Sequence, residues 1–136
     1  MIVSFDIDNT LIPYSDEFPV EEATLLGRVL GAEPLRQGTK FLFRELQSRG
    51  HNIFLYTTSY RSRYNLSRTF ISYGLRPAKI INQQLNQSRL RQIGCQASKN
   101  PNLFGIDLHV DDSLGVLLEG GQYDFRVALI QPEDEQ

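Results

Sequence analysis

Ile2-Val3-Ser4-Phe5-Asp6-Ile7-Asp8-Asn9-Thr10 is the stretch that decides how this 136-residue chain folds. Ile2–Phe5 is short, β-branched and aromatic, and reads as a buried strand. It runs directly into two carboxylates two residues apart. The same pattern recurs along the chain. Ile53–Tyr56 is a second apolar run and ends on Thr57-Thr58-Ser59, and Ile106–Val110 ends on Asp111-Asp112. Ala78–Ile81 and Phe125–Ile130 complete a set of about five expected strands.

Helical patterns lie between these strands. Thr39–Arg49 carries Phe41, Leu42 and Leu46 and stops at Gly50, and Arg61–Tyr73 stops at Gly74. Val20–Leu30, Leu85–Ile93 and Leu114–Leu118 are the other expected helices. Strands alternating with helices predict βαβ units, hence an α/β fold with a three-layer, doubly wound, Rossmann-like parallel sheet. In such sheets ligands bind beyond the carboxyl ends of the strands. Asp-x-Asp, Thr-Thr-Ser and Asp-Asp are therefore expected along one edge. Residues 1–136 read as a single domain, with no internal repeat and no linker.

Composition narrows the function classes. The formal charge of −2 and a pI near 5.6 give no overall drive toward nucleic acid or an anionic membrane. No window approaches the length of a transmembrane helix, and the N-terminus enters a strand rather than a signal peptide, so a cytoplasmic location is expected. Eleven of the fourteen cationic residues are Arg, which leaves Lys40, Lys79 and Lys99 for any role that needs a lysine. Cys95 is alone, which excludes an internal disulfide. It does not fit a cysteine phosphatase loop either, because the position six residues on is Pro101 rather than Arg.

Carboxylates at two neighbouring strand ends form an oxygen-only shell suited to Mg2+. Four of them close together repel strongly, which favours a bound divalent cation. Two carboxylates at one strand end can also divide labour, one attacking an electrophile and the other donating and accepting a proton. A hydroxyl and an ammonium add hydrogen bonds and charge for transferring phosphoryl oxygens.

The ordered set Asp6-Ile7-Asp8-Asn9-Thr10, Thr57, Lys99 and Val110-Asp111-Asp112 resembles the four motifs of the haloacid dehalogenase superfamily of phosphohydrolases. The resemblance spans the chain, with clear matches only around the motifs. It implies that Asp6 is the nucleophile, forming an aspartyl phosphate, and that Asp8 is the general acid/base. It implies Mg2+ held by the Asp6 carboxylate, the Asp8 backbone carbonyl and Asp112, with Asp111 acting through water. The acid at Asp8 points to a phosphatase or phosphotransferase rather than a dehalogenase. Lys99 lies twelve residues before Asp111, a spacing similar to compact members of the family. Lys79 begins the third strand and is the weaker candidate. Thr57 directly follows its strand and supplies the hydroxyl, leaving Thr58 to offer its backbone N–H to substrate.

Other readings fit less well. Asp6, Asp8, Thr10 and Glu17 occupy positions 1, 3, 5 and 12 of a calcium loop, but the Gly needed at position 6 is Leu11 and a strand replaces the entering helix. A signalling receiver domain places its acidic pair early and its lysine last, the reverse of the order here. Arg61 is a candidate for binding an anionic substrate group, and Arg63, Arg68 and Arg76 read as a solvated helix face. His109 reads as a packed or hydrogen-bonded core residue.

About forty-six residues separate Thr10 from Thr57. That leaves room for a flap over Leu11–Phe18 and a short helical insertion within residues 11–36, but for no cap domain. A capless site of this kind suits a phosphorylated macromolecule, or a small substrate enclosed by a second copy in a homo-oligomer. The chief alternative is a non-catalytic module that uses Mg2+ to bind a phosphorylated ligand or partner.

Overall fold

The computed structural model describes residues 1–134. Its strands are β1 (Ile2–Phe5), β2 (Asn52–Tyr56), β3 (Lys79–Ile81), β4 (Leu108–Asp111) and β5 (Val127–Leu129). Its helices are α1 (Leu25–Leu30), α2 (Thr39–Ser48), α3 (Arg63–Ser72), α4 (Gln83–Ile93) and α5 (Leu114–Tyr123), and Pro101–Phe104 forms a 3-10 turn. The sheet order is β3-β2-β1-β4-β5, and every pairing is parallel. The chain winds outward from β1 to β3, then crosses back to β4 on the other side of β1. The order thus reverses between β1 and β4, the switch point where open α/β sheets form their crevice. This is the doubly wound, Rossmann-like arrangement that the strand–helix alternation predicts.

Strand alternation sorts the side chains onto two faces. Val3, Phe5, Ile53, Leu55 and Ile80 point to one face, where Phe43 of α2 and Leu66 and Phe70 of α3 close over them in one apolar cluster. Tyr56 and Ile81 point to the other, packing with Ile106, Leu85 of α4 and Phe104 of the 3-10 turn. Ser4 and His109 lie opposite each other in the β1–β4 register. They stand two residues before Asp6 and Asp111, so both pairs share the second face.

Capping residues set the helix starts. The Thr24, Ser62, Asn82 and Ser113 side chains accept backbone N–H groups of the first turns of α1, α3, α4 and α5. Two expected boundaries move accordingly. Helix α1 begins at Leu25 rather than Val20, because Val20 bridges Arg36 and the Glu21 N–H donates to the Leu35 carbonyl at 2.7 Å. Helix α3 begins after Ser62, which leaves Arg61 in the preceding loop. Helix α5 runs past the expected Leu118 to Tyr123. Its Gly120 is required by packing, since a Cβ there would sit 2.7 Å from the Phe125 carbonyl oxygen. Strand β4 extends to Asp111, so the first of the two acids is a strand residue. Near the C-terminal end the sequence carries the acidic run Glu133-Asp134-Glu135, of which Glu133 and Asp134 are described and Glu135 lies outside the described residues. Among the described residues no helix is long and apolar enough to cross a membrane.

Candidate active site

The turn after β1 is built around one carbonyl. The Ile7 oxygen accepts the N–H groups of Thr10, Leu11 and Ile12 at 3.2, 3.0 and 3.0 Å, and Asn9 takes the left-handed conformation with φ of 61°. Asn is among the few non-glycine residues that adopt it readily. The turn projects Asp8 outward and brings the Thr10 hydroxyl back to Asp6. Thr10 Oγ1 lies 3.0 Å from Asp6 Oδ2 and 3.1 Å from Asp112 Oδ1, at the junction of the β1 and β4 ends. Beneath the turn, buried Arg36 donates to the Thr10 carbonyl at 3.3 Å and to the Gln131 carbonyl at 2.5 Å.

Lys99 reaches the same point from the loop after α4. It is 1% exposed, and its Nζ lies 2.9 Å from Asp6 Oδ1 and 2.8 Å from Asp111 Oδ2. Its loop is tied on both sides. The Tyr56 hydroxyl accepts the Asn100 N–H at 3.0 Å and donates to the Asn86 side chain, whose amide donates to the Ser98 carbonyl at 2.8 Å. Glu119 of α5 accepts the Ser98 N–H at 2.6 Å. Lys79 stays exposed at the start of β3 with its Nζ over the Phe104 ring, so the structure brings Lys99 to Asp6 and leaves Lys79 outside.

Below Lys99 the second face of the sheet is polar. His109 Nε2 lies 2.8 Å from Asp111 Oδ2 and 3.2 Å from Lys99 Nζ, and its Nδ1 lies 2.7 Å from the Ser4 hydroxyl. Burial, followed by the Lys99 charge, lowers the pKa of His109 and keeps it neutral. Burial opposes the charge on Lys99, but the Asp6 and Asp111 carboxylates outweigh it and raise its pKa. Burial also disfavours ionised Asp111, yet the His109 hydrogen bond and the Lys99 charge hold its carboxyl well below the usual range.

The other two acids behave oppositely. Burial, the Asp6 charge and a hydrogen bond shared with Asp6 push Asp112 up to about 6. Burial raises Asp8 as well, against the pull of Arg61. Arg61 Nη2 lies 3.0 Å from Asp8 Oδ1, and its Nη1 lies 3.1 Å from Glu33 Oε2. The guanidinium proposed from sequence for an anionic ligand is thus held between two carboxylates. The Thr57 hydroxyl is buried and accepts the Ser59 N–H at 3.0 Å. Thr58 is exposed beside it.

Asp6, Asp111 and Asp112 each offer a carboxylate oxygen, and these three atoms lie within 4.8 Å of one another. An all-oxygen set of this charge fits a hard divalent cation such as Mg2+. The hydrogen bonds divide the set. Both Asp111 oxygens are engaged, Oδ2 by Lys99 and His109 and Oδ1 by the Ser113 N–H at 2.9 Å. Asp6 and Asp112 share only the Thr10 hydroxyl at their facing oxygens, and that hydroxyl has one proton to give. These two carboxylates are the better direct ligands.

A cavity of about 330 Å3 opens onto Asp6, Asp8, Lys99 and Asp112, with Thr58 and Tyr14 on its walls. Tyr14, 75% exposed, stands on the loop following the first acidic turn. A larger hollow of about 1040 Å3 lies along α2 near Lys40, Phe41 and Arg44, away from these acids. Chemistry rather than volume selects the smaller one, since it holds the convergent charged groups with shifted pKa values.

Of the eight site residues expected from sequence, Asp6, Asp8, Thr58, Lys99, Asp111 and Asp112 line this cavity, while Thr57 precedes Thr58 and Arg61 contacts Asp8. Sequence reasoning passed over the Thr10 hydroxyl, Tyr14, Glu33 and the Ser4–His109 pair. For the last of these a signal was present, because Ser4 and His109 stand two residues before Asp6 and Asp111 on strands expected to be neighbours. The chain is an α/β protein with a doubly wound parallel sheet that carries a carboxylate–lysine cluster at its switch point. No protein-family model matches it, and no curated protein matches its sequence.

Proposed function

We propose that this chain is a Mg2+-dependent phosphatase of the haloacid dehalogenase type, capless, hydrolysing phosphomonoesters through an aspartyl phosphate on Asp6. The observation that carries the reading is the contact of buried Lys99 with Asp6 at 2.9 Å, at the strand ends that also present Asp8, Thr57 and Asp112. Such a cluster supplies a nucleophile, a proton carrier and phosphoryl-binding groups within one small cavity.

In this reading an Asp6 carboxylate oxygen attacks phosphorus, and the bond from phosphorus to the leaving oxygen breaks. Asp8 gives its proton to that oxygen. Burial favours the protonated Asp8 that this step requires. The resulting Asp8 carboxylate, steadied by Arg61, then takes a proton from water as the water attacks phosphorus. Phosphate leaves and Asp6 is restored. Lys99 and the Thr57 hydroxyl bind the phosphoryl oxygens, while His109 and Ser113 hold Asp111 in place. Mg2+ on Asp6, Asp112 and the Asp8 carbonyl would offset the charge of the phosphoryl group as the carboxylate approaches.

The test is phosphate release from a broad panel of phosphomonoesters with Mg2+. Asp6→Asn is expected to lose activity by about a thousandfold or more, as nucleophile removals do. Full activity in that variant would sink the assignment. One observation favours a second reading: Asp8 is tied to Arg61, which is tied in turn to Glu33. Were that clasp permanent, the chain would bind phosphorylated ligands through Mg2+ without turnover. Complete inactivity across the panel, with Mg2+-dependent phosphate binding intact, selects that reading.

A further inference from the structure

The phosphatase reading uses the strand ends, but the polar groups continue two residues deeper, where a water-excluded strand pair would ordinarily be apolar. Ser4 and His109 are both fully buried. They are cross-strand partners in the β1–β4 ladder, one step below Asp6 and Asp111 on the same face. Burying an imidazole and a hydroxyl costs free energy unless each polar atom finds a partner. Here each does, and the partners form one chain: Ser4 Oγ to His109 Nδ1 at 2.7 Å, His109 Nε2 to Asp111 Oδ2 at 2.8 Å, Lys99 Nζ to the same Oδ2 at 2.8 Å, and Lys99 Nζ to Asp6 Oδ1 at 2.9 Å.

The chain of contacts fixes the imidazole tautomer. Asp111 Oδ2 can only accept, so the Nε2 atom facing it must carry the proton. Nδ1 then has a free lone pair and accepts from the Ser4 hydroxyl. The opposite tautomer would set an Nε2 lone pair against a carboxylate oxygen 2.8 Å away. It would gain only a donor contact from Lys99, longer at 3.2 Å. The ammonium cannot satisfy His109 in the favoured tautomer, so its hydrogens go to Asp6 and Asp111. The Tyr56 ring, 5.4 Å from the His109 ring and 5.3 Å from Lys99 Nζ, closes the remaining side.

We infer that His109, with its Nε2–H facing Asp111 and its Nδ1 held by the Ser4 hydroxyl, is a positioning residue: it orients the Asp111 carboxylate, which in turn aims the Lys99 ammonium at Asp6. The inference rests on the phosphatase reading for its catalytic consequence, but not for its geometry. Without the His109 donor, Asp111 Oδ2 keeps only Lys99, and the carboxylate is held from the protein side at Oδ1 alone, by the Ser113 N–H. The lysine then has one fixed acceptor instead of two. Groups that orient the residues next to a reacting centre commonly matter by one to two orders of magnitude. Lys99 would bind the phosphoryl oxygens in the transition state more than in the bound substrate, so the loss falls on kcat rather than on KM.

Two spectroscopic measurements test this without turnover, and one kinetic measurement follows. In the folded full chain, nitrogen NMR of the imidazoles is expected to show His109 protonated at Nε2 and unprotonated at Nδ1. Protonation at Nδ1, or at both nitrogens, overturns the proposal. With 15N-labelled lysine the chain gives three side-chain signals, and that of Lys99 is expected to be the protected one. The signal should broaden or vanish in His109→Leu and return in His109→Gln, whose amide can donate to Asp111 in place of Nε2–H. An unchanged Lys99 signal in a folded His109→Leu protein overturns the proposal. On any phosphomonoester that the wild type hydrolyses, His109→Leu is expected to lower kcat by about tenfold with little change in KM, and His109→Gln to recover most of it. Should His109→Leu fail to fold, Ser4→Ala removes the hydroxyl that holds Nδ1 and carries the same three readouts with a smaller deletion, and a wild-type Lys99 signal there overturns the proposal. If the wild type releases no phosphate at all, the phosphatase reading falls, and the two NMR signatures still decide whether His109 positions Lys99.

Discussion

The two faces of the sheet share the same five strands and oppose each other in almost everything else. On the face under α2 and α3, Phe43 is fully buried between Phe5 and Phe70, with ring centroids 5.0 and 5.8 Å away, and the neighbouring buried side chains are apolar. On the other face, β1 and β4 contribute Ser4, Asp6, His109 and Asp111, and a lysine is buried against them. Apolar burial stabilises a fold with no demand on geometry beyond packing. Buried ion pairs contribute little net stability, because desolvation consumes most of the Coulombic gain. The first face, with the smaller Tyr56, Ile81 and Ile106 cluster on the second, accounts for why the chain folds. The polar part of the second is hard to explain by stability and is better understood as chemistry held in place.

Exchanging the roles of the two faces gives the largest expected effects. Phe43→Ala leaves a cavity in the aromatic stack and is expected to cost about 3–5 kcal/mol in unfolding free energy, read by urea denaturation. The folded fraction should keep wild-type kcat. Asp6→Asn, opposite in kind, is expected to stay within about 1 kcal/mol of wild-type stability while phosphate release disappears. A destabilisation by Asp6→Asn as large as that from Phe43→Ala would show that the polar face also carries the fold, and would break the division.

The apolar face and the strand ends were legible in the sequence for different reasons. Short β-branched runs followed by Asp-x-Asp, Thr-Thr-Ser and Asp-Asp announce both the parallel sheet and its working edge, since local composition governs both. Lys99 was readable by spacing from Asp111 and by the scarcity of lysine. Boundaries were less legible where a tertiary contact overrides a pattern. Val20 bridges Arg36 instead of opening α1, and Gly120, beyond the expected end of α5, is a packing requirement against Phe125 and Val127. The pairing of Arg61 with Asp8 and Glu33 joins three distant segments, and no single stretch of chain signals it. His109 shows how little was missing. Parity placed it under Asp111, but only the β1–β4 register sets it against Ser4.

A smaller change sharpens the comparison at the seam between the two faces. Tyr56 is an aromatic core residue by its ring, which meets Phe104 edge-on at 5.3 Å, and a polar one by its hydroxyl. Tyr56→Phe keeps the ring and leaves the Asn100 N–H and the Asn86 Oδ1 without their buried partner. The expected cost is about 1–3 kcal/mol in unfolding free energy. Because Asn100 follows Lys99, the lysine loop loosens as well, and kcat is expected to fall by about tenfold, since small misplacements of a positioned group are costly. A stability loss with kcat unchanged would mean that His109 and Asp111 alone hold the lysine.

The finest distinction concerns the proton that the metal-free site keeps. Burial and the Asp6 charge push Asp112 up to about 6, so below that pH it holds a proton that a cation must displace. Mg2+ affinity is therefore expected to be nearly flat above about pH 7, then to fall toward about tenfold per pH unit below 6, with one proton released per ion. Titration calorimetry in buffers of differing ionisation enthalpy measures both quantities. Asp112→Asn is expected to weaken binding and remove the slope, and an unaltered slope would shift the proton to Asp8. The melting curve of the metal-free protein is the poorer probe, because two signs compete there. A carboxyl raised on folding stabilises the fold at low pH and loses that contribution as the pH rises through about 6, whereas His109, lowered by burial and Lys99, stabilises it less as the pH falls below the ordinary histidine range. The metal isotherm isolates the first of these, since the displaced proton belongs to the carboxylates that would face the ion and not to the imidazole beneath them.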